Sequence, residues 1–283
     1  MQVLEENQIQ MKHINLVVIL LITIGVAWFT VLERKVLSYS QLRKGPNKAT
    51  SIGFFIPLLD AGKLIFKNLN YYNISGAIWP VSVLFIALMT VVVVFSEIPN
   101  QVVLFLIFIR VIVFPTFWTG WFRERWYALL GSIRAIAQRI RYEVCLRLIL
   151  LRAALSTQSF ALHTINYSVW SIWVCLLLIV WISLAETNRR PFDFVEGESE
   201  LVSGFNVEYA GLSFAVLFLG EYIIIITYSY LIGGLEFVVA YICLYIIIRA
   251  CLPRFRYDLL ISLRWNICLP MSIMITFLIF IPF

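Results

Sequence analysis

Six carboxylates fall within a stretch of 23 residues: Glu186, Asp193, Glu196, Glu198, Glu200 and Glu208. Phe192, Phe194, Leu201, Val202 and Phe205 interleave with them. Acids held on an apolar scaffold lose hydration, which raises a carboxyl pKa toward neutrality. Groups poised there can pass protons, so the chemistry to expect is acid–base or relay chemistry. A solvated loop is the alternative. Three further acids stand in apolar surroundings: Glu143, Glu221 and Glu236. A charged acid at the centre of a membrane helix costs about 2.5–3.5 kcal/mol on insertion scales, so it marks an ion or proton path by default. For Glu221 the competing reading is an arginine partner or snorkelling to the interface. For Glu236 the two readings balance. Arg110 is one cation that such an acid could meet.

Other chemistries find no support. Cys145, Cys175, Cys243, Cys251 and Cys268 show neither CxxC nor metal-ligand spacing, and His13 and His163 lie far apart. There is no GxxxxGK[ST], GxGxxG or HExxH. The expectation is a chain that binds no metal and no nucleotide of its own.

The elements that position the acids follow from hydropathy. Of 283 residues, 61% are hydrophobic and 13% charged, and the mean hydropathy is +0.91. A soluble domain is nearer half apolar and a quarter charged, so the pattern predicts an all-α integral membrane protein. Runs long enough to cross a bilayer predict about eight transmembrane helices. They cover residues 14–32, 77–96, 102–119, 143–162, 169–185, 209–230, 235–249 and 267–283, in a single membrane domain with no internal repeat. Arg147 and Arg152 interrupt the fourth. Met1-Gln-Val-Leu-Glu-Glu lacks the basic start of a signal peptide and the arginines of a presequence, so the first run is expected to remain a span.

The net charge of +6 reads as membrane topology, not as a nucleic-acid face. Twenty of the 22 basic residues fall in stretches that follow odd-numbered spans; only Lys12 and Arg110 do not. The positive-inside rule then places both termini outside and every charged loop inside. Residues 54–67 read as an amphipathic helix lying in the inner interface. Phe55, Leu58, Leu59, Gly62, Ile65 and Phe66 share one side, and Asp60, Lys63 and Lys67 the other. An ordinary connecting helix is the alternative.

Three inner segments carry more than connection requires. They are Glu33-Arg34-Lys35 through Gln41-Leu-Arg43-Lys-Gly-Pro-Asn47, Arg134-Ala…Gln138…Tyr142-Glu143-Val144, and Glu186-Thr-Asn-Arg189 through Glu208-Tyr209-Ala210. With Asp60-Ala, Lys63-Leu64 and Arg249-Ala-Cys-Leu-Pro253-Arg254-Phe-Arg256-Tyr-Asp258, they occur in one order along the chain. The set resembles the subunit 1 family of NADH–quinone oxidoreductase, respiratory complex I, in its mitochondrially encoded or bacterial form. Ser38 and Ile56 depart from the family's usual Gly and Gln.

The resemblance implies a membrane subunit that forms a quinone tunnel and links quinone reduction to proton translocation. Arg34, Arg43, Asp60, Phe218 and Arg249 are then tunnel or mouth residues, although Phe218 equally suits core packing. Glu143, Glu186, Glu196, Glu198, Glu200, Glu208 and Glu221 become relay acids. Ubiquinone would be the substrate, with NADH, FMN and iron–sulfur clusters belonging to partner subunits. Partners would be peripheral-arm subunits on the matrix side, neighbouring membrane-arm subunits and lipid. The location would be the mitochondrial inner membrane, or alternatively a bacterial plasma membrane. Two rival readings are a non-catalytic scaffold that docks the peripheral arm and the related proton-coupling subunit of a membrane-bound hydrogenase.

Overall fold

The computed structural model describes residues 2–47, 53–67, 74–96, 98–123, 125–162, 173–193, 204–206 and 209–277. Among these, all regular structure is helical. The helices are α1 (Gln2–Ser40), α2 (Ile56–Phe66), α3 (Ile74–Phe95), α4 (Gln101–Val111), α5 (Val113–Trp121), α6 (Trp126–Thr157), α7 (Trp173–Glu186), α8 (Gly211–Cys251), α9 (Tyr257–Leu263) and α10 (Leu269–Phe277). A 3-10 turn covers Gly204–Asn206, and a π turn covers Arg264–Cys268.

Five stretches are long and apolar enough to cross a membrane: Val17–Ser40, Ile78–Phe95, Gln101–Trp121, Gly211–Gly234 and Tyr257–Phe277. Each overlaps one of the expected spans, although the first runs on to Ser40 and the last begins at Tyr257, ten residues before its expected start. Expected spans four, five and seven correspond to α6, α7 and the part of α8 beyond Gly234, which are helical without meeting that test.

Helix boundaries follow local chemistry. The third span breaks at Ile112, between α4 and α5. Pro115 has no N–H to give to the carbonyl of residue 111, so the ladder loosens there. The last span is interrupted by the π turn just before Pro270 for the same reason. The sixth and seventh spans form one run, α8, that reverses at Gly234, where φ is 58° and ψ −164°. Only glycine adopts that conformation cheaply. The two arms fold back on each other, so Ile225 and Ile246 line the same cavity.

Helix α6 begins at Trp126, well before the expected start at Glu143, and its buried stripe includes Ala128, Ser132, Ala135, Gln138, Tyr142, Leu146, Ile149 and Ala153. The small residues at its start admit a close crossing by α5. A Cβ built on Gly120 would stand 2.4 Å from Ser132 Oγ. Glu143 therefore sits midway along a 32-residue helix and opens nothing.

The core runs through Val91, Phe105, Leu146, Ile149, Ile182, Leu184, Ile223 and Tyr228, with α3 packed along α8 and α6 packed on α5 and α7. The exterior is apolar too: Leu21, Phe85, Ile107, Phe114, Leu177 and Val239 are all exposed. On α2 only Ile56 and Pro57 are buried, while Leu58, Leu59, Ile65 and Phe66 lie open. A soluble protein hides such faces; one that faces lipid or partner helices need not.

Candidate functional site

The end of α7 organises the site. Asn188 adopts φ 52°, in the left-handed region. Its N–H donates to the carbonyl of Ala185, and the N–H of Arg189 donates to the carbonyl of Leu184. These two bonds make a Schellman cap with asparagine in the place usually held by glycine. The Thr187 hydroxyl adds a bond to the Ser183 carbonyl at 2.9 Å. The cap turns the chain sharply and brings Arg189 back against the bundle.

Arg189 meets α8. Its guanidinium lies 3.8 Å from Glu221 Oε2 and 4.6 Å from the centre of the Tyr222 ring. The Tyr222 hydroxyl donates to Glu33 Oε2 at 2.6 Å, and Arg249 pairs with the other Glu33 oxygen. Two acids and two arginines thus alternate across α1, the turn after α7 and both arms of α8. Glu221 stands behind Arg189, and Glu33, Arg189 and Arg249 help wall a cavity that Phe29, Leu184, Thr187, Ile225, Tyr245 and Ile246 complete. About 20 Å³ of it admits a water-sized sphere, enough for one water. Each charge there is met by an opposite charge, which is the condition for charges to persist out of water.

A second row lies on the other side of α7. Glu186 is 4% exposed and feels the charges of Arg139, Glu143 and Arg147 on α6. Burial pushes its carboxyl up to about 8, with Glu143 adding to the rise and Arg139 and Arg147 opposing it. Glu186 Oε1 has no hydrogen-bond partner among the described residues. Glu143, also buried, pairs with Arg147 one turn on. Gln138 fixes the spacing between the helices by donating to the carbonyls of Ala185, at 2.8 Å, and Phe192, at 3.0 Å. Residues 184 and 187 share one face of α7 and residue 186 lies on another. The end of this helix therefore stands between the cavity and the α6 row.

Nearer the surface, Arg34 of α1 bonds Asp60 of α2 at 3.1 Å, with both side chains well exposed. Arg43 is exposed and its Nε donates to Gln41 Oε1. Phe218 is half-buried and packs on Phe214 at 4.4 Å between ring centres. Arg254 bonds Asp193 at 3.0 Å, and the Phe255 N–H donates to the Pro191 carbonyl, tying the segment after α7 to the entry of α9.

The structure therefore gathers Glu143, Glu186, Glu221 and Arg249 into two adjoining polar groups, and it places Arg34 and Asp60 together beside them. Glu196, Glu198, Glu200 and Glu208 lie outside the described residues. Glu236 is exposed, apart from both groups. The partner of Glu221 is Arg189, not Arg110. Sequence reasoning did not assign roles to Glu33, Arg139, Arg189 and Tyr222. The signal for Glu33 was present: an acid late in a long apolar helix with no basic residue one turn before it.

An all-helical protein with an apolar exterior and charged clusters buried beside one end of its spans defines a class, the membrane subunits that handle charge inside a bilayer. Comparison narrows the class. A family model described as NADH dehydrogenase matches residues 14–280. A protein named NADH-ubiquinone oxidoreductase chain 1 from Heterololigo bleekeri is 41% identical, over 87% of this chain and 89% of its own. The protein of the same name from Aedes aegypti is also 41% identical, over 92% and 91%, and that from Emballonura alecto is 38% identical, over 91% and 92%. The chain belongs to the NADH dehydrogenase family.

Proposed function

We propose that this chain is the subunit of a proton-translocating NADH:ubiquinone oxidoreductase that receives the quinone and couples its reduction to proton movement. The observation that carries the reading is one cavity lined by Glu33, Arg189 and Arg249, with Glu221 paired to Arg189 and Glu186 buried behind the same helix end. Carboxylates in such numbers stay buried only where the protein gains from them. The names of the relatives supply the substrate class.

The physical logic is short. Each buried carbon of an isoprenoid tail contributes up to about 0.8 kcal/mol, so a tail-bearing quinone favours an apolar passage. The exposed apolar side of α2 and the half-buried Phe218 suit that surface, and the Arg34–Asp60 pair suits its mouth. The charged loops face the matrix in this reading. Electrons come from clusters in partner subunits, and reduction leaves the quinone negative until it takes up protons. A unit charge about 10 Å away at an effective dielectric of 20 shifts a carboxyl by roughly one pKa unit. Glu186, already raised to about 8, holds a proton at neutral pH and can lose it when its surroundings become more positive. Acids this close titrate together, so a change at the cavity group passes to the α6 row. Glu196, Glu198, Glu200 and Glu208 would extend the relay toward the quinone.

The test is made in sealed vesicles carrying the assembled enzyme. Glu186→Gln and Glu143→Gln are expected to lower both the quinone reductase rate and the protons moved per NADH, with assembly intact on native gels. Normal rate and normal yield in assembled variants would refute the relay. A docking scaffold would instead leave every glutamine variant silent, while changes at Arg254 and Arg256 blocked assembly.

A further inference from the structure

Arg110 is a basic residue that neither the fold nor the topology accounts for. It is the tenth residue of the Gln101–Trp121 span. Its position lies about 15 Å from either end at 1.5 Å per residue, whereas snorkelling serves arginines near helix ends. It is exposed, as are Val103, Ile107 and Val111 on α4 and Phe114 on α5. The spacing of these residues, i, i+4, i+7, i+8 and i+11, makes one continuous stripe. The opposite side of the span, Val102, Phe105, Ile109 and Ile112, is buried in the core. No described residue offers Arg110 a hydrogen bond or an ion pair. A guanidinium at that depth, facing outward from an apolar stripe, needs an anion brought to it at the same depth.

We propose that the outward stripe of α4 and α5 docks a membrane helix of a neighbouring subunit, and that this helix presents an Asp or Glu side chain to Arg110 near mid-bilayer. The stripe supplies side-chain packing, and the ion pair supplies register and choice of partner. Arg suits the role because its planar fork binds a carboxylate through two parallel hydrogen bonds. A phospholipid phosphate is the competing anion, but headgroups lie at the ends of the span and not at its middle. The inference rests on reading the chain as one subunit of a larger membrane enzyme. It does not rest on the relay acids.

The test uses the intact complex. A density map is expected to show a transmembrane helix of another subunit against Val103, Ile107 and Phe114, with a carboxylate oxygen within about 4 Å of the Arg110 guanidinium. A phospholipid phosphate, or no neighbouring helix, at that position overturns the proposal. Arg110→Gln is expected to lower the yield of intact complex on detergent challenge roughly tenfold, Arg110→Lys to retain most of it, and exchange of the partner's acid for Arg with Arg110→Glu to restore it. Equal yields for all variants overturn the proposal as well. Because the Glu186→Gln readouts are rate and proton yield in assembled enzyme, failure here leaves the proposed function standing, and failure there leaves this contact standing.

Discussion

At the scale of single residues, Glu186 and Glu33 show two ways of keeping a carboxyl out of water. Glu33 is held by Tyr222 and Arg249; Glu186 has charges near it but no bond to Oε1. The difference sets a sign. The Glu186 carboxyl rises from 4.5 to about 8 on burial, so the folded protein keeps a proton that the unfolded chain would release in that window. Its stabilising contribution is complete below pH 4.5 and is lost as pH rises through about 8. Glu186→Gln removes the titration. The thermal midpoint of the solubilised enzyme should then decline less between the unfolded value of 4.5 and the raised value of about 8 than that of the parent, and the two slopes should converge above it. An identical slope across that interval in parent and variant would place the titrating group elsewhere. Arg249→Leu has the opposite character, since it leaves Glu33 buried with one hydroxyl for company. Loss of one partner of a buried pair costs about 3–5 kcal/mol, and the partial exposure of Arg249 puts the expectation at the lower end. Arg249→Lys should recover part of the stability, measured as the temperature at which quinone reductase activity is lost.

At the scale of elements, the turn after α7 decides where Arg189 goes. Asn188→Gly keeps the left-handed backbone and should be neutral within about 0.5 kcal/mol, whereas Asn188→Val should cost about 1–2 kcal/mol. The valine variant should also raise KM for quinone by loosening the Arg189–Glu221 contact, and steady-state kinetics on both variants separate the two effects. An unchanged KM in an assembled Asn188→Val enzyme would show that the cap does not position the site. Gly120 is constrained by close approach instead: Gly120→Ala should weaken assembly, and Ser132→Gly in the same chain should recover part of it, because the nearest atoms to the added methyl are those of Ser132. Such elements were only partly legible in the sequence. Long apolar runs marked the spans because hydropathy acts on the whole window. The run at α6 was harder to read, since seven basic residues from Arg123 to Arg152 mask a buried stripe of small residues. The reversal at Gly234 had its signal in Gly233-Gly234. The partner of Glu221 had none, because a contact between residue 189 and residue 221 depends on how helices pack and not on spacing along one of them.

At the scale of the molecule, the polar groups at one end depend on loops from separate helices holding one another in place. Phe192 is fully buried among Tyr142, Trp181 and Phe255, with ring centres 6.0, 5.0 and 5.8 Å away. The Asp193–Arg254 bond closes over that cluster. The segment after α7 is thus clamped to the entry of α9 by a ring cluster, one backbone bond and one ion pair. Because this segment leads into Glu196, Glu198 and Glu200, the clamp fixes where their stretch of chain begins. A double-mutant cycle with Asp193→Asn and Arg254→Gln isolates the pair. At partly exposed sites the coupling should be modest, about 0.5–1 kcal/mol. If the proposed relay holds, its functional share should be larger than its share of stability, since a small displacement of a transferring group slows transfer steeply. Each single variant is therefore expected to lower the proton yield per NADH more than it lowers the inactivation temperature, and the double variant to be little worse than either single one. Additive losses in yield would show that the two side chains act separately and that the loop is held by the aromatic cluster alone.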